Sequence, residues 1–292
     1  MRTLNDCNPI VAAVYFPAVA GIAMFSMNPV LLFLSLAGAV LYCFVRGGGS
    51  APKVHLFFLG LFVVTAVINP LVYHNGVTVL FVLNRNPVTL EAVLYGIAAA
   101  SMILSVLYWF RSFTEIMTSD KLLYLFGKLS PKLALVFSMG LRYVPLFSRQ
   151  ASRINKTQTA LGLYRDDNII DSFRGGIRVF SVLLTWALEN GIITADSMAA
   201  RGYGAKKRSH FNVFRFRRSD AAMLSVTLLL FALTVFSIGA GALGFTYYPS
   251  FKAADISPAA VTGHISYGAL SLLPTLIEAG DRLKWKYLKS KI

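Results

Sequence analysis

Charged residues are scarce in this 292-residue chain: Asp, Glu, Lys and Arg together make up 14% of it. A soluble domain of ordinary composition carries about 25%. So little charge cannot cover a soluble fold of this size, which excludes the soluble globular class. The chain has only two cysteines, Cys7 and Cys43, in no spacing motif, so neither a disulfide framework nor a cysteine metal site is implied. The four histidines, His55, His74, His210 and His264, are dispersed, with no second ligand at metal spacing. No histidine–carboxylate pair falls at helical spacing, and there is no Gly-x-Ser-x-Gly elbow. The Gly-rich stretch from Arg46 to Lys53 lacks the Gly-Lys-Ser/Thr ending of a phosphate-binding loop and reads as a turn between two apolar runs. No catalytic residue, metal site or cofactor is expected.

What is abundant is apolar sequence. Hydrophobic residues make up 56% of the chain and the mean hydropathy is +0.61. Disorder is excluded on the same ground. An all-α, polytopic membrane protein remains. A spanning helix needs about 20 mostly apolar residues, and six runs meet that need. They are 10–27, 29–45 after Asn28-Pro29, 54–72, 90–110, 221–243 and 258–279. Gly96 and Ala98-Ala99-Ala100 in the fourth run allow close helix approach in lipid. Between the third and fourth runs, the β-branched stretch 77–83 and the turn Asn84-Arg85-Asn86-Pro87 predict an outside-facing re-entrant or hairpin element near 76–89. Thr89 is placed to cap the fourth helix, with Glu91 in its first turn.

The net charge of +15 is concentrated in one region. Between Phe110 and Arg218 there are 18 Lys and Arg against seven Asp and Glu. The tail adds Arg282, Lys284, Lys286, Lys289 and Lys291, whereas the loop 74–87 and the linker 245–257 carry one basic residue each, Arg85 and Lys252. Under the positive-inside rule this predicts six spans in a cell membrane with both termini in the cytoplasm. Topology, rather than nucleic acid, accounts for the positive charge. The predicted division is a membrane domain over 1–110, a cytoplasmic domain over 111–218 and a C-terminal membrane segment over 219–292. The run Lys206-Lys207-Arg208, with Arg215, Arg217 and Arg218, reads as an anchor for the span that follows.

Three helical pieces are legible in the basic segment. The first covers 113–129. The second starts near Pro131 and carries one apolar stripe: Leu133, Val136, Phe137, Gly140, Leu141 and Val144. Beyond Pro145, Arg149, Arg153 and Lys156 share a basic face, and the helix stops at Gly162. The third covers 173–201 and stops at Gly202. Arg142 and Glu189 interrupt the apolar halves, and an unpaired charge at the bilayer centre costs about 2.5–3.5 kcal/mol. These helices are therefore expected along the inner face of the membrane rather than across it. Their ends look alike: Gln158-Thr159-Ala160-Leu161-Gly162 and Asp196-Ser197-Met198-Ala199-Ala200-Arg201-Gly202-Tyr203-Gly204. Alanines keep such a tip slender, glycine ends the helix, and Arg201 offers a planar charged fork to a partner's carboxylate.

The arrangement resembles the transmembrane (T) component of energy-coupling factor transporters, the vitamin and transition-metal importers of prokaryotes. The resemblance is carried by 86–91 (Asn-Pro-Val-Thr-Leu-Glu), by Ser130-Pro131-Lys132 leading into Gly140-Leu141-Arg142-Tyr143-Val144-Pro145, and by the two helix ends. It covers roughly residues 10–245. It implies a scaffold without enzymatic activity, two ATP-binding partner subunits held by the helix tips, and a substrate-binding S component in the membrane. ATP-driven closure of the ATPases would reorient the S component. Ala200, Arg201 and Gly202 match the family's second docking motif. Ala160, Leu161 and Gly162 match the first, where Leu161 replaces the usual Arg and points to an asymmetric grip on a heterodimer. Arg142, Pro145, Arg149 and Arg153 would support the coupling helix. Two other readings remain open on the residues alone. One is a membrane-embedded lipid- or prenyl-processing enzyme using Asp166, Asp167 and Asp171; the other is a stand-alone secondary transporter.

Overall fold

The computed structural model describes residues 4–47, 52–73, 76–83, 86–163, 169–205, 214–253 and 257–290. The glycine turn at 48–51, Asn84-Arg85, Arg165-Asp166-Asp167, Lys206-Lys207-Arg208, His74 and His210 lie outside them. The described residues form helices α1 (Pro9–Phe25), α2 (Pro29–Arg46), α3 (Pro52–Val72), α4 (Leu90–Ile116), α5 (Ser119–Leu129), α6 (Pro131–Ala160), α7 (Ile169–Ala200), α8 (Arg218–Gly239) and α9 (Pro258–Lys289). Two small antiparallel hairpins interrupt them: β1 (Val79–Leu83) with β2 (Asn86–Thr89), and β3 (Phe245–Thr246) with β4 (Lys252–Ala253). The fold is all-α. Its contacts divide it into two compact units, one made of 1–122 and 214–292, the other of 123–213.

Six helices, α2, α3, α4, α7, α8 and α9, are long and apolar enough to cross a membrane. They are not the six expected. α1 is a shorter apolar helix of 17 residues. α7 belongs to the apolar set by composition: it carries Asp171, Arg174, Arg178, Glu189 and Asp196, but between Arg178 and Asp196 Glu189 is the one charge.

In the first unit, α1 and α2 begin with the same device. Asn8 and Asn28 each accept a backbone N–H from two residues on, Ile10 at 3.1 Å and Val30 at 3.0 Å, and a proline fills the first helical position. The missing proline N–H would be unpaired there in any case. α4 packs on α1, α2 and α3, and α9 packs on α2 and α8. Trp109 of α4 is fully buried among Tyr15, Phe16 and Tyr42, and its indole N–H donates to Ser35 at 3.1 Å. The buried hydroxyls of Tyr15 and Tyr267 reach across to the carbonyls of Leu270 and Val19. A Cβ on Gly38 would come within 2.9 Å of Ser271, and one on Gly96 within 2.6 Å of the Ala66 carbonyl. These glycines set how closely α2 meets α9 and α4 meets α3.

The hairpin β1–β2 is tied to α4 at its base. The Thr89 hydroxyl accepts the Ala92 N–H at 3.3 Å and so caps the helix. The buried Glu91 carboxylate accepts both the backbone N–H and the hydroxyl of Thr78, the latter at 2.8 Å.

Two boundaries move from their expected places. α4 continues past Phe110 to Ile116, so the break falls at Met117-Thr118. Arg111 and Glu115 form an i,i+4 ion pair at 3.2 Å on this extension, which carries the helix into a polar setting. The buried ammonium of Lys121 then closes it, donating to the Ile116 carbonyl at 3.0 Å and to the Asn5 carbonyl and side chain at 2.8 and 2.9 Å. Burial, reinforced by nearby Arg46, pushes the Lys121 pKa down. α9 runs on through the basic tail to Lys289, where a span ending near Ala279 was expected.

Candidate functional site

The second unit is built on α6 and α7. α6 occupies the expected stretch, starting with Pro131 at its first position and passing unbroken through Pro145. α7 begins at Ile169, four residues earlier than its apolar periodicity suggested. The helices meet through Tyr143 and Thr194, whose hydroxyls lie 3.0 Å apart, and through Phe147 and Trp186, with ring centroids at 5.8 Å. Arg178 donates to the Leu163 carbonyl at 3.4 Å just past the end of α6. As numbers rise along α6 they fall along α7, so the pair is antiparallel. At about 1.5 Å per residue, the two C-terminal tips lie at opposite ends of the pair, up to roughly 40 Å apart.

The two tips have one backbone geometry. At the first, Gly162 has φ +67, its N–H reaches the Thr159 carbonyl at 3.0 Å, and the Leu163 N–H reaches the Gln158 carbonyl at 3.1 Å. At the second, Gly202 has φ +82, its N–H reaches Ala199 at 2.9 Å, and the Tyr203 N–H reaches Met198 at 3.0 Å. This double bond pattern is the Schellman cap, which requires a left-handed residue that glycine adopts freely. The cap alone does not define a docking site, since α8 ends the same way at Gly241, followed by the buried Leu243. The equivalent residues of α8, Gly239, Ala240 and Gly241, are exposed as well, so what sets the tips of α6 and α7 apart is that they close the two helices of one pair and carry the large side chains Leu161 and Arg201 where α8 has Ala240. Ala160, Leu161, Gly162, Ala200, Arg201 and Gly202 are all exposed, and open space surrounds both cap glycines.

The structure therefore gathers the six tip residues into two sets rather than one. Arg142, Pro145, Arg149 and Arg153 are all exposed on α6. The Arg149 guanidinium donates to the Pro145 carbonyl at 3.2 Å, and Arg142 and Pro145 flank the Tyr143 crossing point. Phe147, Trp186, Thr194 and Arg178, which with Tyr143 hold the pair together, were not singled out from the sequence. The stacked i,i+4 aromatics Tyr143 and Phe147 are the signal that could have marked the crossing. Among the described residues, no group of His, Cys, Asp and Glu could hold a metal ion.

The sequence pattern of the cobalt transport protein family, CbiQ, matches residues 2–211. The chain belongs to this family. It is a multi-pass membrane protein of a transport family, not an enzyme. Similar curated proteins carry the name energy-coupling factor transporter transmembrane protein EcfT. That of Lacticaseibacillus paracasei is 31% identical over 108 residues, 35% of this chain and 41% of the relative. EcfT 1 of Listeria monocytogenes is 28% identical over 102 residues, 34% and 38%. The protein of Listeria innocua is 32% identical over 95 residues, 32% and 36%. The chain thus matches well under half the length of these relatives. α8 and α9 lie beyond the family match.

Proposed function

We propose that this chain is the transmembrane scaffold of an energy-coupling factor transporter. It couples ATP hydrolysis on two partner ATPases to reorientation of a membrane-embedded S component that carries a micronutrient, a vitamin or metal ion. The reading rests on one observation: the same exposed cap at both ends of one antiparallel helix pair. A pair that spanned the bilayer would leave its two tips on opposite sides of the membrane, and ATP is available on only one. The pair therefore lies along the inner membrane face as part of a cytoplasmic coupling domain over 111–218, with one tip for each ATPase. The exposed Phe137, Val144, Ile177, Phe180, Leu184 and Leu188 suit that position, because lipid and the S component cover them. The basic segments then face the cytoplasm, as do both termini.

The mechanism is mechanical. Closure of the ATPases on ATP changes the distance between the tips. Two helices of 30 and 32 residues, joined at Tyr143–Thr194 and Phe147–Trp186, carry that motion as a lever to the S component. Arg201→Glu places a carboxylate where a carboxylate partner is expected. It should abolish co-purification of the ATPase at that tip and ATP-dependent uptake, while leaving the chain folded in the membrane. Unchanged assembly and transport in this variant would remove the basis of the proposal.

A further inference from the structure

α9 ends in a basic, aromatic segment that lies beyond the family match and outside the packed core of the bundle. The helix has 32 residues, about 48 Å at about 1.5 Å per residue. Its apolar part, 258–279, takes about 33 Å of that, close to a hydrocarbon core of about 30 Å. Tilted by about 20°, the whole helix matches the 40–45 Å or so of a bilayer with its headgroups. Residues 280–289 therefore lie at headgroup depth. The root of this tail is held against the bundle, because the Arg282 guanidinium lies 3.8 Å from the place a Cβ would take on Gly47, at the end of α2.

Cations and large apolar groups stand on every side of the tail. Leu283, Trp285, Tyr287 and Leu288 are 53–68% exposed. Arg282 and Lys289 are seven residues apart and share one face, bordered by Leu283 and Trp285; Lys284 stands on the other side, between Tyr287 and Leu288. Neither Lys284 nor Lys289 forms an ion pair among the described residues. A helix lying flat on a membrane keeps one face apolar, and a protein groove covers one face. What offers both apolar surface and negative charge all round is the headgroup layer itself, crossed by an upright helix.

We propose that residues 280–289 form a contact site for anionic phospholipids, with Arg282, Lys284 and Lys289 on lipid phosphates and the rings of Trp285 and Tyr287 among the headgroups. A zwitterionic lipid carries its own ammonium beside the phosphate, so the site prefers lipids of net negative charge. This rests on α9 crossing the bilayer and not on the transport reading.

Photo-crosslinking of the full chain tests it. The protein is reconstituted in vesicles of equal parts phosphatidylcholine and phosphatidylglycerol, with benzoylphenylalanine in place of Trp285, and lipid adducts are counted by mass spectrometry. Phosphatidylglycerol should be captured about fivefold or more over phosphatidylcholine, the enrichment that one basic residue beside an anionic surface gives. Replacing Arg282, Lys284 and Lys289 by Gln should bring the ratio to about one. The same probe at Phe236, exposed on α8, should capture both lipids equally and shows that each variant is inserted. Equal capture at 285 with the tail intact, or an undiminished preference in the triple variant, would overturn the proposal. So would lipid adducts at 236 with none at 285, or a protein adduct in place of lipid at 285 in native membranes. Inorganic phosphate that lowers capture more than chloride of the same ionic strength would assign the cations to a soluble anion instead and overturn the lipid site. None of these outcomes reads ATPase assembly or uptake, so each leaves the scaffold reading untouched.

Discussion

The two units of this chain solve the burial problem in opposite ways. The unit of 1–122 and 214–292 has a core of its own, with Trp109, Tyr15, Tyr42, Tyr267, Leu31 and Leu270 all but inaccessible. In the other unit the long helices bury almost nothing. Gln158 is the buried residue of α6 and Gly175 that of α7, while large apolar side chains stand exposed along both. An apolar helix pair without a core depends on what surrounds it. The bundle is stabilised from within, whereas the α6–α7 pair leaves its apolar faces open. Under the scaffold reading proposed above, lipid and partner proteins cover those faces, and contacts that must change during a cycle are kept out of a core.

That contrast can be broken by substitution. The largest expected effect is in the bundle. Trp109→Ala removes a fully buried indole and its bond to Ser35, and should cost about 3–5 kcal/mol. Loss of folded protein in detergent, followed by thermal denaturation, measures it. Gly96→Val forces a side chain against the Ala66 carbonyl and should cost about 1–3 kcal/mol by overpacking. The same assay applies, and an unchanged midpoint would mean that α3 and α4 separate readily. Gly202→Ala puts a Cβ on a left-handed residue and should cost about 1 kcal/mol locally. Fraying of the α7 tip, read by hydrogen exchange at Arg201–Tyr203, would report it without a change in the bundle. Leu188→Ser on α7 should change the stability of the isolated chain by less than about 0.5 kcal/mol. A large loss there would show that the pair has internal cover after all.

Lys121 sharpens the same contrast through pH. Its native pKa is lowered below the unfolded value of about 10.5. Between the two values the unfolded chain binds more protons, so stability rises with pH across that window. Below the window both states are charged and the burial penalty is fully present. Lys121→Met should flatten this alkaline rise, measured as the difference in denaturation midpoint between the two proteins from neutral to high pH. An identical slope in both would mean that the ammonium is well solvated.

Local signals were read where the physics is local. Pro131 at a first turn, Gly162 and Gly202 as helix ends, and Thr89 as a cap all act within a few residues, and each sits where its chemistry requires. Boundaries held by distant groups were missed. The end of α4 depends on Lys121, which is tied back to Asn5, 116 residues earlier in the chain. The set of apolar helices also differs at α7, whose stretch between Arg178 and Asp196 is apolar enough to cross a membrane by composition despite Glu189. The tip residues were visible as a repeated motif, but that they occupy opposite ends of one pair was not.

Composition, charge asymmetry and helix punctuation determine by themselves that this chain lives in a membrane, is all-α and carries two capped helices in a basic segment. These follow from transfer free energies and short-range hydrogen bonding, which the local sequence contains. The antiparallel crossing at Tyr143–Thr194 and Phe147–Trp186, the close approach of α2 to α9 at Gly38 and Ser271, and the separation of the tips were decided only in three dimensions. They depend on which helix faces meet, and no spacing along one helix specifies its partner.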